Sequence, residues 1–428
     1  MENKVEVNQM NDQNVERIIK RNLFLYVIGT TTSKFGSEIY MFAMSLFILK
    51  TTGSGIAFSI ALITKYLPGA ILSPIAGAIA DKFSRKKLII GMDVLAGIVM
   101  MLHMTYTLCI GNNCIAVYIA IFVLSCISTM FGITVKAAKP NLVNRDNLTK
   151  INSYGHMVNS IAQICSPLLT GFVYLNINLS IFMLINGVSF FVSALTECFF
   201  VFKFNQQSKQ TIINRSFPPL KDTFVKGFQY LIKSKLIFVL TLAGVVMDFI
   251  MISGVAVSLP VIINSQLGLS PSAYSVINIS YPIGMLAASL IMSQFMNNSK
   301  RYYTKIIGGM TVISLGVILI GVISSPMLSL NNLIYIMVFC IYGFSSSFAI
   351  VIMDVPIRVI FQETIPNEVL GTVMGVVDSI SLILTPIGMI LSGILIDVFP
   401  AFILPLASGV ILLIFTYILS RIKTIKIS

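Results

Sequence analysis

The chain has 428 residues, of which 56% are hydrophobic and only 11% are charged, and its formal net charge is +13. A water-soluble globular protein of this size needs far more polar surface, so the composition excludes that class and indicates an integral membrane protein. The positive charges stand in short clusters between apolar stretches, which argues against a nucleic-acid-binding face and favours contact with anionic lipid headgroups.

Apolar stretches recur along the whole chain, and about twelve of them are long enough for a transmembrane helix, which takes roughly 20 residues. Lysine and arginine residues in the connections predict the orientation. With the N-terminus inside, the predicted outer loops contain only Lys50, so both termini are predicted to be cytoplasmic. The predicted spans are 22–49, 54–80, 88–110, 115–137, 155–177, 180–203, 236–262, 271–296, 304–325, 330–356, 371–396 and 400–420.

Several charged residues lie near the middle of predicted spans, where an ionisable group is costly and is therefore a candidate for function. Lys34 and Glu38 are four residues apart on one face of span one, and Lys65 of span two reaches a similar depth at about 1.5 Å per residue. These three predict a network facing a wet central cavity; the alternative is a structural ion pair between spans one and two. Glu38 and Asp248 of span seven are the candidates for binding a proton or a cationic group.

A short charged connection joins spans two and three. It reads Gly-Ala-Ile-Ala-Asp-Lys-Phe-Ser-Arg-Lys-Lys over 77–87. A glycine at its start permits close helix approach, and a carboxylate at its centre suits the free N–H groups of a helix N-terminus. The alternative is a basic turn that only sets topology, which explains the cations but not the glycine and aspartate together. The candidate switch residues are Gly77, Asp81, Lys82, Arg85 and Lys86.

The longest polar connection, 204–235, separates six predicted spans from six more. Within it, Phe224, Phe228 and Leu231 recur at helical spacing, which indicates an amphipathic helix on the inner membrane face or a solvated linker helix. The N-terminal stretch is polar and does not resemble a signal peptide. The predicted organisation is an N-terminal tail 1–21, a first half 22–203, a linker 204–235, a second half 236–420 and a tail 421–428.

The two halves carry a repeat. Residues 159–167 and 378–386 both read polar-Ser-Ile-x-x-Ile-x-(Ser or Thr)-Pro, in spans that run in the same direction. This predicts a parallel repeat about an axis along the membrane normal. Pro167 and Pro386 are expected to kink their spans, with Gly171 and Gly388 allowing close packing nearby. Bending without a functional consequence is the alternative.

The remaining polar residues of the spans are secondary candidates. Four charged residues near the inner face are also explained by contact with headgroup water or basic loops: Asp93, Glu197, Asp354 and Asp378. His103 and His156 are single and are expected to be packing or interface residues. The six cysteines lack metal-ligand spacing and are expected to be packing residues. The secondary site candidates are Asn159, Asp378, Asp93 and Asp354.

The loop 77–87 resembles the signature between the second and third helices of the major facilitator superfamily. This implies the major facilitator fold: an all-α integral membrane protein of twelve transmembrane helices in two pseudo-symmetric six-helix halves. It also implies that Asp81 contacts the start of span eleven near Gly371, with Arg85 and Lys86 in a charge relay. A narrower set of motifs comprises Gly36-Ser37-Glu38, Thr52-Gly53-Ser54, Gly91-Met92-Asp93, Pro140-Asn141-Leu142-Val143, Phe361-Gln362 and Thr385-Pro386-Ile387-Gly388.

These narrower motifs resemble the macrolide-efflux-type exporters of bacteria. The resemblance implies a secondary transporter of the bacterial plasma membrane that exports amphipathic small molecules by proton antiport and alternating access. A dedicated exporter of a siderophore, peptide or lipid-like metabolite is one alternative, and a non-transporting membrane sensor or scaffold is another. No nucleophile–base set, metal cluster or nucleotide-binding loop is seen in the sequence, so neither an enzyme nor a cofactor is expected. The expected partners are the solute, the proton and anionic lipid, with no nucleic acid, and we expect a monomer.

Overall fold

The structure is a computed structural model that describes residues 12–52, 55–111, 113–176, 178–204, 220–295, 302–328 and 330–422. Every regular element in these ranges is helical. In chain order the helices are α1 (Asp12–Thr52), α2 (Gly55–Lys82), α3 (Arg85–Cys109), α4 (Cys114–Leu142), α5 (Leu148–Asn176), α6 (Leu179–Cys198), α7 (Leu220–Lys233), α8 (Lys235–Met251), α9 (Ser258–Val261), α10 (Pro271–Phe295), α11 (Tyr302–Ile323), α12 (Asn332–Thr364), α13 (Leu370–Val398) and α14 (Ile403–Arg421).

Ten helical segments within the described residues are long and apolar enough to cross a membrane. The helices α1 and α5 bring the number of long helices to twelve, and both carry several charged and amide side chains along their length. Six long helices precede the short helix α7 and six follow it, with α9 continuing the path of α8. The predicted all-α membrane fold of twelve long helices is confirmed.

Local capping and short connections explain several helix ends. At the start of α4 the side chain of Asn113 accepts a hydrogen bond of 2.9 Å from the backbone N–H of Ile115, and Asn178 does the same for Ser180 in α6. These caps satisfy donors that the first helical turn leaves without a partner. Only two residues separate α2 from α3, yet α2 packs mainly against α4, and α3 packs mainly against α6 and α4.

The first of two compact units comprises the described parts of Met1–Ile151, Ala162–Tyr230 and Gln362–Ser379. It therefore combines α1–α4, the later part of α5, α6 and most of α7 with the last residues of α12 and the beginning of α13. Its apolar core includes side chains from α1, α3, α4 and α6, and Tyr40 and Leu124 within it are fully buried. This packing fixes the helices that carry most of the candidate residues.

The second unit comprises the described parts of Asn152–Ile161, Leu231–Phe361 and Ile380–Ser428. Its helices approach closely where glycines face a neighbouring helix. A Cβ atom on Gly284 of α10 would collide with the backbone carbonyl of Phe344 in α12. Small residues allow membrane helices to pack at this distance.

The path of α8 is irregular beyond Met251. π-Helical turns over Ile252–Ala256 and Ile262–Gln266 flank α9. Pro260 lies inside α9 and lacks the N–H that would continue the regular hydrogen-bond ladder, which gives a local cause for the irregularity. Asp248 lies one turn before the first of these π-helical turns, a kind of irregularity that is frequent at functional sites.

The helix α7 lies within the predicted linker 204–235. Leu231 is buried, and the rings of Phe224 and Phe228 are stacked with centroids 6.2 Å apart. The three residues of the amphipathic pattern therefore stand on a helix. Its position on the membrane face, the boundaries of the halves and the two tails stay predictions.

Candidate functional site

Asp81 lies near the C-terminal end of α2, and its side chain contacts the N-terminus of α13. Its Oδ1 atom accepts a hydrogen bond from the backbone N–H of Gly371 at 2.7 Å, and its Oδ2 atom accepts one from Thr372 at 2.6 Å. The first N–H groups of a helix have no partner within the helix and carry partial positive charge. A carboxylate that takes two of them is held by charge-assisted bonds, which are about twice as strong as neutral ones.

Glycines make this contact between α2 and α13 possible. A Cβ atom on Gly77 would collide with the carbonyl group of Gly371, and one on Gly371 would lie 2.6 Å from the carbonyl oxygen of Gly77. A Cβ atom on Gly375, one turn further along α13, would collide with the carbonyl of Ser73. The obstacles are backbone atoms that cannot rotate away, so all three glycines are needed for this approach.

Arg85 is buried beside Asp81 and holds it in place. One terminal nitrogen of the guanidinium donates to Asp81 Oδ1 at 3.1 Å and to the carbonyl of Asn367 at 2.5 Å. The other donates to the carbonyl of Ala137 at 2.8 Å, to Asn141 Oδ1 at 2.9 Å and to the amide oxygen of Asn367. The planar fork of arginine suits this set of acceptors, and the pairing offsets the cost of burying both charges.

Of the two loop lysines, Lys86 is bound away from the contact at Asp81. Lys86 Nζ donates to the carbonyls of Cys198 at 2.7 Å and Phe200 at 2.9 Å, so it satisfies the C-terminal end of α6. Lys82 is exposed at the last residue of α2. Among the loop cations, Arg85 forms an ion pair with Asp81.

Besides the contact of α2 with α13, the structure shows a link between α4 and α13 that could not be predicted from the sequence pattern. Lys136 forms an ion pair with Asp378, and both side chains are partly exposed. The side-chain amide of Gln362 also donates to the carbonyl of Lys136 at 3.3 Å. Asp378 was a candidate both from the repeat and from its charge near the inner face. Lys136 lies at the inner end of predicted span four, where a test for charges inside spans would have found it.

Glu38 and Lys65 form a salt bridge between α1 and α2. Lys65 Nζ donates to Glu38 Oε2 at 2.8 Å, and the side chain of Glu38 remains 38% exposed. The hydroxyl of Ser125 on α4 donates to the carbonyl of Lys65, which anchors that turn of α2. Lys34 lies one turn before Glu38 on α1 and is half-buried. In the second unit, Asp248 has an exposed side chain on α8.

In the second unit, Asp354 joins α12 to α5. His156 Nε2 hydrogen-bonds with Asp354 Oδ2 at 2.8 Å, and Arg358 Nε donates to the same oxygen. Asn159 lies on α5, three residues after His156, and is half-buried. The pairing of Asp354 with His156 could not be read from the sequence because 198 positions separate the two residues.

Asp93 and Glu197 are buried inside the first unit, each with 1% of its surface exposed. The expectation that they reach headgroup water is wrong, since α1 packs over both of them. Ser33 of α1 donates to Asp93 Oδ1 at 2.7 Å. His103 is packed in the apolar core, where it hydrogen-bonds with Tyr40 at 2.5 Å.

The residues predicted to bend the helices are only partly described. Pro386 and Gly388 lie inside α13, and a Cβ atom on Gly388 would be 3.0 Å from a methyl carbon of Ile252. Pro167 and Gly171 belong to α5, but their side-chain surroundings lie outside the described residues. Among the residues that the structure describes, no group of three or more His, Cys, Asp or Glu could hold a metal ion.

Comparison with known proteins assigns the chain to a family. Residues 26–385 match the family model described as Major Facilitator Superfamily. The chain is 26% identical over 375 residues to macrolide efflux protein A of Streptococcus pyogenes, covering 86% of this chain and 88% of that protein. It is 25% identical over 343 residues to macrolide efflux protein A of Enterococcus faecalis, covering 79% of this chain and 100% of that protein.

A solved structure supports the same fold. The crystal structure of a bacterial homologue of the iron transporter ferroportin, in an outward-facing state, superposes with a TM-score of 0.71. The two chains are 16% identical, and the match covers 95% of this chain and 100% of that one. At this level of identity the similarity concerns the fold alone.

Proposed function

Because the chain belongs to the major facilitator superfamily and is therefore a multi-pass membrane transporter rather than an enzyme, we propose that it exports amphipathic small molecules of the drug or macrolide type. Export proceeds by alternating access and is driven by proton antiport. The similarity to two macrolide efflux proteins over most of the chain supports this solute class. We place the protein in the bacterial plasma membrane as a monomer with cytoplasmic termini.

The contact at Asp81 carries the alternating-access part of the proposal. It ties α2, from the first half of the sequence, to the start of α13, from the second half, through two backbone N–H groups and a buried arginine. In the proposed cycle the contact has two arrangements, closed as observed and open with both charges exposed to water. In our proposal the contact at Asp81 closes the predicted cytoplasmic end, and its release admits solute from the cytoplasm.

Proton coupling is proposed at the carboxylates near the middle of the spans. Glu38 of α1 is partly exposed and forms a salt bridge with Lys65 of α2. Protonation of Glu38 would remove the attraction to Lys65, which links the proton to the relative position of these two helices. Asp248, on the irregular helix α8, is the second candidate.

The proposal is tested by transport into inside-out membrane vesicles. Vesicles that contain the wild-type protein should accumulate a radiolabelled macrolide when their interior is made acidic, and an uncoupler should abolish this accumulation. Asp81→Asn should reduce accumulation at equal protein level, while Asp222→Asn, on the exposed face of α7, should leave it unchanged. Accumulation that survives the uncoupler would overturn proton antiport. Absence of accumulation for macrolides and cationic dyes alike would overturn the solute class.

A further inference from the structure

Two carboxyl groups that the proposed function does not use are buried in the first unit. Asp93 lies on α3 and Glu197 near the end of α6, and each is 1% exposed. Asp93 Oδ2 and Glu197 Oε2 are fully buried and have no hydrogen-bond partner among the described residues. The two carboxyl groups also act on each other electrostatically.

The helix α1 covers this pair. Ser33 donates to the other oxygen of Asp93 at 2.7 Å. A Cβ atom on Gly29 would lie 3.4 Å from Glu197 Cγ and 3.6 Å from Glu197 Oε1, so the α1 backbone runs directly over this side chain. The hydroxyl of Ser193 on α6 donates to the carbonyl of Gly29 at 2.9 Å and also lies within hydrogen-bonding reach of the Asp93 carboxyl group.

The charged and titratable groups around the pair do not neutralise it. On α3, Lys86 is bound to the carbonyls at the end of α6, and on α6 the Cys198 thiol follows Glu197 directly. From α1 the pair receives the hydroxyl of Ser33 and the backbone at Gly29. Within the described residues, neither Asp93 nor Glu197 takes part in a salt bridge.

Two ionised carboxylates in this setting are strongly unfavourable. Burial removes hydration from both charges, no cation compensates for them, and like charges at close range repel each other. Protonation of one carboxyl group removes its negative charge and gives it an O–H donor. This donor can form a hydrogen bond with a carboxyl oxygen that otherwise has no partner. This geometry favours at least one proton on the pair while α1, α3 and α6 are packed as observed.

We propose that Asp93 and Glu197 form a proton-binding site that holds at least one proton when α1 covers it and releases that proton when α1 shifts. Ser33 binds Asp93, and Glu38 lies five residues further along the same helix, where it binds Lys65. A movement of α1 therefore reaches the buried pair and the salt bridge together. The exchange of this proton during transport rests on the function proposed above; its presence on the pair does not.

Infrared spectroscopy of the purified full-length protein tests the proton directly. At neutral pH the wild type should show the C=O stretching band of a protonated carboxyl group, and Glu197→Gln or Asp93→Asn should abolish or shift that band. Glu16→Gln, at an exposed position of α1, is the matched control and should leave it unchanged. A wild-type spectrum without this band, or a band that neither buried-site variant alters, would overturn the proposal.

Carbodiimide labelling of the wild type keeps the test independent of variants that fail to fold. Dicyclohexylcarbodiimide reacts with protonated carboxyl groups in apolar surroundings, so mass spectrometry should find the adduct on Asp93 or Glu197 at neutral pH and lose it as the pH rises. Absence of the adduct from both residues at low and neutral pH would contradict the proposal. Protection from labelling by sodium or magnesium ions at constant pH would identify a metal-ion site and would also overturn it.

A transport measurement separates this inference from the proposed function. If wild-type vesicles accumulate no macrolide or dye, the proposed function fails, whereas the infrared and labelling results still decide whether the pair holds a proton. If wild-type vesicles transport normally, Glu197→Gln should lower the number of protons released per solute while solute binding is retained. An unchanged number of protons would overturn the exchange of this proton during transport.

Discussion

Replacing Asp81 with alanine is expected to loosen the contact between α2 and α13. The change removes the acceptor of two backbone N–H bonds and the counter-charge of the buried Arg85. Breaking a buried ion pair by deleting one partner costs about 3–5 kcal/mol. Because about 1.4 kcal/mol corresponds to a factor of ten, the population in which α2 and α13 are separated should rise by roughly two orders of magnitude or more.

Cysteine labelling can measure this population. Ser379 of α13 is 1% exposed and donates to the carbonyl of Ala70 on α2 at 2.6 Å, so a cysteine there is shielded while the helices are in contact. In a background with the six native cysteines replaced by serine, Ser379→Cys should react slowly with a membrane-permeant maleimide. Addition of Asp81→Ala should accelerate the reaction, since the rate follows the open population when opening is fast.

The matched control is Asp222→Asn, which removes an exposed carboxylate of α7 and should leave the labelling rate unchanged. Loss of the fold in Asp81→Ala is separated from local opening by thermal unfolding of the same sample. If a folded Asp81→Ala variant is labelled no faster than its parent, Asp81 does not hold these helices together, and the reasoning is refuted.

Three further predictions use four substitutions, at Gly77, at the ion pair of Lys136 with Asp378, and at Glu38. Gly77→Ala should reduce macrolide accumulation in vesicles at equal protein level, because its Cβ atom meets the backbone of α13. Lys136→Ala and Asp378→Ala should be non-additive in the free energy of unfolding by about 0.5–3 kcal/mol, as measured by a double-mutant cycle. Glu38→Gln should abolish solute-driven proton release, measured with a pH-sensitive dye, because the amide cannot exchange the proton that acts on Lys65.

Each of these predictions has a result that contradicts it. Gly132→Ala, at a site where a Cβ atom has open space, is the control for Gly77→Ala, and equal transport in both variants would refute the steric argument. Additive effects of the changes at Lys136 and Asp378 would mean that their ion pair contributes nothing measurable. Proton release that persists in Glu38→Gln would transfer the coupling role to Asp248 or to the buried pair.

The fold was accessible from the sequence because the membrane restricts the possible structures. Every backbone polar group in the hydrocarbon core must be satisfied, so long apolar stretches form helices, and charged loops mark their ends. The connection 77–87 could be recognised for the same reason: its residue types are unusual between two apolar spans. Asp81 and Gly371 could be brought together only through the family resemblance, since 290 positions separate them.

The missed features depend on which helix covers which face. Counting residues along a span gives depth, and depth alone predicts that Asp93 and Glu197 meet headgroup water. The structure shows α1 packed over both, which no periodicity within α3 or α6 reveals. The partners Lys136–Asp378 and His156–Asp354 likewise come from helices distant in sequence, so their pairing is a property of the tertiary fold.

Counter-transport in proteoliposomes tests the central claim most directly. Purified protein, reconstituted with a pH-sensitive dye in the lumen and an acidic interior, should release protons when a macrolide is added outside and should accumulate the macrolide in proportion. An uncoupler should abolish both signals. Macrolide accumulation without proton movement, or proton movement that does not depend on the macrolide, would contradict proton-coupled export.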